Sequence, residues 1–453
     1  MPAYSHVRLI LTARDSGARL QEQNPPAFGP PPPFKPSRNN AVQIDPAVAY
    51  QTIEGFGGAF TEAAATTLLK LPPERQEEVL RAYFDPATGH GYNLCRTHLN
   101  SCDFALGCYA YCEQDGDFDL ATFSIDRDRQ ALLPMIQRAL VLAGGDIKLL
   151  ASPWSPPAWM KTNNAMKGGG ALRPECRDVW ARYYVRYIGA YRREGVPIWA
   201  LSVQNEPAAV QRWDSCVYSA EEERDFVRDH LGPTLAASDY AATKIVIWDH
   251  NRDDLYDRAK VVYDDPAAAH YVWGTGFHWY VSDRFDNVQR HYDAWPDKKL
   301  LFTEGCQEGG PHLGEWTVGE RYARSIIQDL NHGTVGWIDW NLLLDTRGGP
   351  NHVDNFCSAP ILADVATGEL HYQSSYPYLG HFARFIRPGA VRILSASTRD
   401  ELETLACRHP DGTLVVVVLN RSELALPFSL RVGDQALALS APPRSIQTAI
   451  LSP

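Results

Sequence analysis

The sequence is short of positive charge. Lys and Arg total 43 against 54 Asp and Glu, a formal net charge of −11, and no basic run occurs. That excludes a protein that tracks nucleic-acid phosphates or clings to an anionic membrane by charge. No stretch approaches the roughly 18 uninterrupted apolar residues of a spanning helix. The apolar run Val7–Ala13 is broken by Arg8 and followed by Arg14 and Asp15. It therefore lacks the clean apolar core of a signal peptide and reads as an edge strand. The chain is expected in a cytoplasm-like compartment, or exported without a recognisable leader. The nine cysteines are odd in number and scattered, so no disulfide framework is expected. Cys95, Cys102, Cys108 and Cys112 cluster without zinc-type C-x2-C spacing, and H-E-x-x-H is absent, so no metal site is expected. Gly55-Phe56-Gly57-Gly58 has the wrong spacing for a dinucleotide loop, and no cofactor is expected. No repeat of about 20–50 residues is visible.

What is present is a globular composition, 45% apolar over 453 residues, enough for a large domain and a smaller one. Residues 24–36, NPPAFGPPPPFKP, can form neither regular helix nor central strand and read as an extended connector. From about residue 51 to 385, short apolar runs alternate with long amphipathic or irregular stretches. Strands are expected at Ile53–Phe56, Asn93–His98, Ile147–Ser152, Trp199–Gln204, Lys244–Trp248, Gly276–Trp279, Lys299–Thr303 and Val335–Trp340. Helices are expected at Pro72–Phe84, Asp128–Ala143, Val179–Arg193 and Ala220–Leu231. Eight strands with intervening helices predict a (β/α)8 barrel over residues 51–385. After Pro388 the helical period disappears. Six short strands between Val391 and Leu451, with turns such as Asp411-Gly412, predict a small β-sandwich over residues 386–453. Val7–Thr12 is expected to join it, so that residues 1–50 contribute a strand and the connector, and the sandwich is built from both chain ends.

In such a barrel the C-terminal strand ends carry the chemistry. Here they read Arg96-Thr97-His98, Ser152-Pro153-Trp154, Gln204-Asn205-Glu206-Pro207, Trp248-Asp249-His250, His278-Trp279-Tyr280, Thr303-Glu304-Gly305 and Asp339-Trp340-Asn341. Carboxylates beside aromatic platforms and hydroxyl-binding Asn, Asp and His suit a sugar. Glu206 and Glu304 end different strands after buried runs and can face each other across the axis. Glycoside hydrolysis needs such a pair, one carboxyl to protonate the leaving oxygen and one to attack or activate water.

Several longer stretches are similar to one family. They are Gly55-Phe-Gly-Gly-Ala-Phe-Thr-Glu, Ser101-Cys-Asp-Phe, Ala151-Ser-Pro-Trp-Ser-Pro-Pro-Ala-Trp-Met-Lys-Thr-Asn, Asn205-Glu-Pro, His278-Trp-Tyr, Thr303-Glu-Gly-Cys, Gly348-Gly-Pro-Asn, Gly380-His-Phe and Val415-Val-Val-Val-Leu-Asn-Arg-Ser. Together, in order, they resemble glycoside hydrolase family 30 in its glucosylceramidase branch. The resemblance implies a barrel with a β-sandwich and a retaining hydrolase of terminal β-glucosides, soluble or glycolipid. It implies Glu206 as acid/base, with a pKa raised by apolar surroundings, and Glu304 as nucleophile. Asn205 would hold the sugar 2-hydroxyl, Tyr280 would hydrogen-bond Glu304, and Arg96 would lie beneath it. Asp103 and Trp154 would take the far hydroxyls, Trp340 would line the pocket, and Asn355 would sit at its rim. His278 joins these as a candidate substrate contact, and so does Trp213, on the loop after Glu206. That loop departs from the branch, as does Gln307–Trp316, and Gln204 stands where an acid is found. These departures bear on the leaving group.

Structural readings stand beside these. Arg96 could be a barrel ion pair, Trp154, Trp159 and Trp340 core aromatics, Asp103 a helix N-cap, and His278 a hydrogen-bonded core histidine. Cys306 reads as a packed thiol. Within the class, a β-xylosidase, β-fucosidase or β-glucanase is the alternative. Outside it, the alternative is a non-catalytic carbohydrate-binding effector.

Overall fold

A computed structural model describes residues 4–30 and 40–453. Eight parallel strands close into a barrel: β1 (Gly55–Phe60), β2 (Leu94–Leu99), β3 (Lys148–Pro153), β4 (Ala200–Ser202), β5 (Lys244–Asn251), β6 (Val272–His278), β7 (Lys299–Glu304) and β8 (Thr334–Asn341). Each pairs with its sequence neighbours, and β8 closes on β1. All eight expected strands occur, the first two residues later than its pattern placed it.

The helices follow from apolar spacing and caps. Arg177–Arg193 buries Val179, Trp180, Tyr183, Tyr184, Tyr187, Ile188 and Tyr191, one face at a 3.6-residue period. Pro73–Phe84 starts on proline, whose missing N–H has no partner to lose in a first turn. Ala220–Phe226 opens on a Ser219–Glu222 capping box. It continues through a π-turn, Val227–Leu231, into Gly232–Ala236. The helix expected from Asp128 divides into a 3-10 turn, Asp128–Gln130, and Leu132–Leu142.

Strand alternation explains why the barrel is dry at one end and polar at the other. Leu94, Leu150, Ala200, Val246, Leu301 and Ile338 form one fully buried interior cluster. Two residues further along five of these strands, the same face presents Arg96, Ser152, Ser202, Thr303 and Trp340, while on β5 the alternation breaks at Trp248. The second layer is where the chemistry begins.

Close backbone approach at β1 requires glycine. A Cβ on Gly57 would lie 1.8 Å from the Leu94 carbonyl oxygen, whereas one on Gly58 would meet the movable end of Leu342 at 2.8 Å. Gly57→Ala is therefore expected to destabilise the protein by about 3 kcal/mol, and Gly58→Ala by about 1 kcal/mol. Denaturant midpoints measure both; equal shifts would contradict this packing.

The second domain is a β-sandwich whose nine strands run in the order 435–441, 426–432, 41–52, 391–397, 402–408, 414–420, 445–452, 6–13 and 21–23. The six expected C-terminal strands all occur. His6–Ala13 pairs antiparallel with Ser445–Ser452, so both chain ends build the domain. Ala41–Thr52 is a long strand that sequence patterning did not single out. Of the proline-rich connector, residues 31–36 lie outside the described residues. Helix Ser375–Ala383 docks the sandwich on the barrel, where His381 bonds Thr12 and Thr448. No described helix is long and apolar enough to cross a membrane.

Candidate active site

The cavity opens at the C-terminal ends of the barrel strands and has a volume of about 220 Å3. Asp103, Trp154, Asn205, Glu206, Trp213, Tyr280, Glu304, Trp340 and Asn355, all expected at the site, line it. Arg96 and His278, expected among the substrate contacts, do not. Both side chains are fully buried beneath the floor and can reach a substrate only through the groups they hold.

Arg96 is the hub of that floor. Its guanidinium donates to Glu304 Oε2, to Asn205 Oδ1 at 2.8 Å, to Asp249 Oδ2 at 2.9 Å and to Ser152 Oγ at 3.0 Å. Because the Asn205 oxygen is taken from below, its NH2 group is free to face the cavity. Arg96 is thus both the expected barrel ion pair and the support of Glu304. Trp154 and Trp340 stack at 5.2 Å and 23°, with Arg96 4.8 Å from the Trp154 ring centre. Trp159 is a core aromatic, its indole N–H bonded to the Cys112 carbonyl. Asp103 caps no helix; its Oδ2 accepts from Asn351 at 3.2 Å and Asn355 at 3.1 Å.

Two local distortions aim the acids. A register shift between Phe302 and Glu304 turns Glu304 inward after inward-facing Thr303. On β5 a shift between Trp248 and His250 coincides with positive φ at Trp248 and Asp249, and Glu206 also has φ +50°. Such backbone is costly for these residues and is found where surrounding contacts over-determine it. The β5 distortion brings Asp249 into the floor, where it accepts from Arg96, from Ser152 Oγ at 2.8 Å and from Thr303 Oγ1 at 2.5 Å. Sequence reasoning placed Asp249 at a strand end without giving it a role. His250, named in the same strand-end string without a role, also lines the cavity, and Gln211 and Asn251 line it unforeseen.

Carboxylate oxygens of Glu206 and Glu304 and a ring nitrogen of His278 all lie within 4.8 Å of one another. Glu304 Oε1 accepts from Tyr280 Oη at 2.9 Å. His278 Nδ1 is 3.3 Å from Glu206 Oε1 and its Nε2 is 3.1 Å from Asp249 Oδ1. Burial favours the neutral ring, but the charges and hydrogen bonds of Glu304, Asp249 and Glu206 prevail and raise His278 to about 9. The expectation that Glu206 has apolar surroundings and a raised pKa is overturned. Burial raises it, yet His278, His250 and Gln211 hold it at about 2. Burial raises Glu304 against the charges of His278 and Arg96. Between the values of Glu206 and His278, about 2 and about 9, the proton rests on His278 and Glu206 is ionised, an ion pair with His278 Nδ1 3.3 Å from Glu206 Oε1. Tyr280 stays neutral, since burial raises its phenol well above 10. Cys306 is a protonated, packed thiol, raised by Cys357 beside it and by burial.

The sign for His278 follows from its ordinary pKa of about 6.5. Its charge stabilises the fold fully below that pH, and the contribution disappears as pH rises through about 9. The same proton leaves the Glu206 pair there. The kcat/KM profile is expected to fall above about pH 9, and His278→Gln to move that alkaline limb to lower pH. An unmoved limb would assign it to another group.

An eight-stranded parallel barrel with two carboxylates among stacked tryptophans and hydroxyl-binding amides at its strand ends defines an O-glycoside hydrolase. The chain matches the glycosyl hydrolase family 30 TIM-barrel domain over residues 53–386 and that family's beta sandwich domain over residues 389–449. It belongs to glycosyl hydrolase family 30. It is 37% identical over 426 residues to the lysosomal acid glucosylceramidase of Mus musculus, covering 90% of this chain and 82% of the relative. Among solved structures it is similar to SrfJ from Salmonella typhimurium, with TM-score 0.94, 40% identity and 99% of each chain covered. An endo-beta1,6-glucanase structure matches with TM-score 0.88, 27% identity and 99% of each chain covered.

Proposed function

We propose that the protein is a retaining β-glucosidase that removes a terminal β-D-glucosyl unit, with a glucosylceramide-type glycolipid as its substrate. The observation that carries this reading is the pair of facing carboxylates, with Glu206 and Glu304 oxygens within 4.8 Å. Retaining glycosidases hold their carboxyls about 5–5.5 Å apart, and inverting ones about 6.5–9.5 Å, to admit a water. Single oxygens within 4.8 Å of each other favour the closer, retaining arrangement.

In that reaction the sugar rests against the Trp154–Trp340 stack, with Asp103 and Asn355 at its far hydroxyls. Asn205 donates to the 2-hydroxyl. Glu304 attacks the anomeric carbon as the bond to the leaving oxygen breaks, and Glu206 supplies the proton that oxygen takes. That proton starts on His278, whose Nδ1 lies 3.3 Å from Glu206 Oε1, and passes through Glu206 to the leaving oxygen. Glu206 then takes a proton from water as that water displaces Glu304. Tyr280 and Arg96 hold Glu304 in line and stabilise its charge as it is released.

A cavity of about 220 Å3 suits one ring better than a row of rings. Large apolar side chains stand exposed on the loops that follow β2, β4, β6 and β7: Leu106, Phe118, Val210, Val281 and Leu313. They give this face an apolar rim suited to a lipid aglycone. The similarity to an endo-beta1,6-glucanase supports a second reading, a soluble β-1,6-linked glucan.

Rates on an aryl β-glucoside, an aryl β-xyloside, glucosylceramide in vesicles and a β-1,6-glucan test the reading. The proposal expects the aryl glucoside and the glycolipid to be hydrolysed and the xyloside to be poor. Cleavage of the glucan without the glycolipid would favour the second reading. A preference for the xyloside would overturn the choice of sugar.

A further inference from the structure

Three side chains that the proposed reaction does not use converge beside the cavity. Cys108 lies on the loop after β2, Asp214 on the loop after β4 and His352 on the loop after β8. One ligand atom from each falls within 4.8 Å of the others. Cys108 Sγ is 3.7 Å from His352 Nε2, and that nitrogen is 3.5 Å from Asp214 Oδ2. Zinc bond lengths of about 2.3 Å to sulfur and about 2.0–2.2 Å to nitrogen and oxygen fix the edges of a tetrahedral site. Those edges are about 3.6 Å for S···N and about 3.4 Å for N···O. The two separations lie within about 0.2 Å of those edges, and the third pair, Cys108 and Asp214, lies within 4.8 Å.

The groups behind the ligand atoms are already set. His352 Nδ1 donates to the Ala105 carbonyl at 3.2 Å, which leaves Nε2 to carry the lone pair toward Cys108 and Asp214. Ser101 Oγ donates to Asp214 Oδ1 at 2.9 Å, which turns Oδ2 to the same point. Asp214 is 1% exposed, and Oδ2 is buried without a hydrogen bond. Oδ2 lies 3.5 Å from His352 Nε2 and close to the Cys108 thiol, the two groups that would share a cation with it. Cys108 is exposed, which supplies an entry path and a fourth, open position.

We propose that Cys108, Asp214 and His352 form a binding site for a zinc-type divalent cation, with three protein ligands and water at the fourth position. Sulfur, imidazole and carboxylate together suit Zn2+ or Co2+ better than Mg2+ or Ca2+. Binding replaces the thiol proton with the metal and releases that proton to water. Two forces oppose it. Without a cation, burial and the nearby Asp214 raise the thiol to about 12, and the Lys167 ammonium occupies space near the sulfur. The bound ion would tie three loops together at the sugar site. The His352 N–H donates to the Asp103 carbonyl at 3.2 Å, Asn351 beside it bonds the Asp103 carboxylate, and Asp214 follows cavity-lining Trp213. The site is therefore a brace for the Asp103 wall and takes no part in bond breaking. The ligands lie 106 and 138 residues apart (214 − 108 and 352 − 214), so no spacing rule could have found them.

The test is titration of the reduced, chelator-stripped full chain with Co2+ and then Zn2+. The proposal expects one equivalent of Co2+ to give a thiolate-to-cobalt charge-transfer band that Zn2+ displaces. Cys108→Ser should remove the band, and His352→Gln should weaken binding by about 100-fold. Cys108 is exposed, so its serine variant should keep the wild-type circular dichroism, and Ser101→Ala should weaken binding about 10-fold while keeping the band. Absence of a band at one equivalent in the wild type would overturn the site and leave an ordinary His–Asp ion pair beside a free thiol. A band that survives in Cys108→Ser would overturn it equally, since the sulfur would belong to another cysteine.

Discussion

A Glu304→Gln variant is expected to lose at least about four decades of kcat/KM on any β-glucoside, on the order of 5 kcal/mol of transition-state stabilisation. The size follows from the lack of a substitute. Glutamine keeps the shape of the side chain and its contact with Tyr280 but cannot form the glycosyl bond. The neighbouring Cys306 thiol is held protonated, well above its ordinary pKa, by Cys357 and burial. The Asp103 carboxyl is raised to about 7 by burial, against its bonds to Asn355 and Asn351, which hold it in place. The fold should survive, because Arg96 keeps its ion pair with Asp249 and its bond to Asn205. Activity above about one part in a hundred in a pure, folded variant would remove Glu304 from the nucleophile role.

Glu206→Gln should depend on the leaving group. A general acid contributes about 10²–10⁴-fold where the departing oxygen is basic. On an alkyl glucoside or the glycolipid, kcat/KM is expected to fall about 10³-fold. On an aryl glucoside whose phenolate departs unaided, the fall should stay under about tenfold, because kcat/KM reports the first irreversible step. The kcat on that aryl substrate should drop further, since the second step loses its base and the intermediate accumulates. Equal losses of kcat/KM on both substrates would show that Glu206 gives no proton to the leaving group.

These two residues were legible in the sequence because Glu304 ends β7 and Glu206 stands on the loop just after β4, and in a parallel barrel strand ends and the loops after them converge on one mouth. The same logic reached Asn205, Trp154, Tyr280 and Trp340. The position of Arg96 beneath Glu304 came from the family resemblance, and the structure supplies its physical reason: Arg96 follows inward-facing Leu94 by two residues on β2. Alternation fails where backbone is irregular. On β5 it points Trp248 inward, two residues after Val246, but positive φ at Trp248 and Asp249 brings the next residue into the floor. Nothing in the string Trp248-Asp249-His250 announces a bulge. The misjudged environment of Glu206 has a related cause. Its chain neighbours Pro207, Ala208 and Ala209 are apolar, while the groups that set its charge, His278 and His250, arrive from β6 and β5. Strand Ala41–Thr52 was missed because Asp45, Pro46 and an exposed stretch from Ala47 to Tyr50 break its pattern beside the proline-rich connector. Its pairing partners lie at least 339 residues away (391 − 52), at Val391–Ser397 and Leu426–Val432.

The central claim, that Glu304 displaces the leaving group directly and water then displaces Glu304, is tested most directly by the stereochemistry of the first product. Proton NMR of an aryl β-glucoside reaction should show β-glucose first, with the α-anomer appearing only at the rate of mutarotation. First release of α-glucose would mean a single displacement by water and would contradict the account.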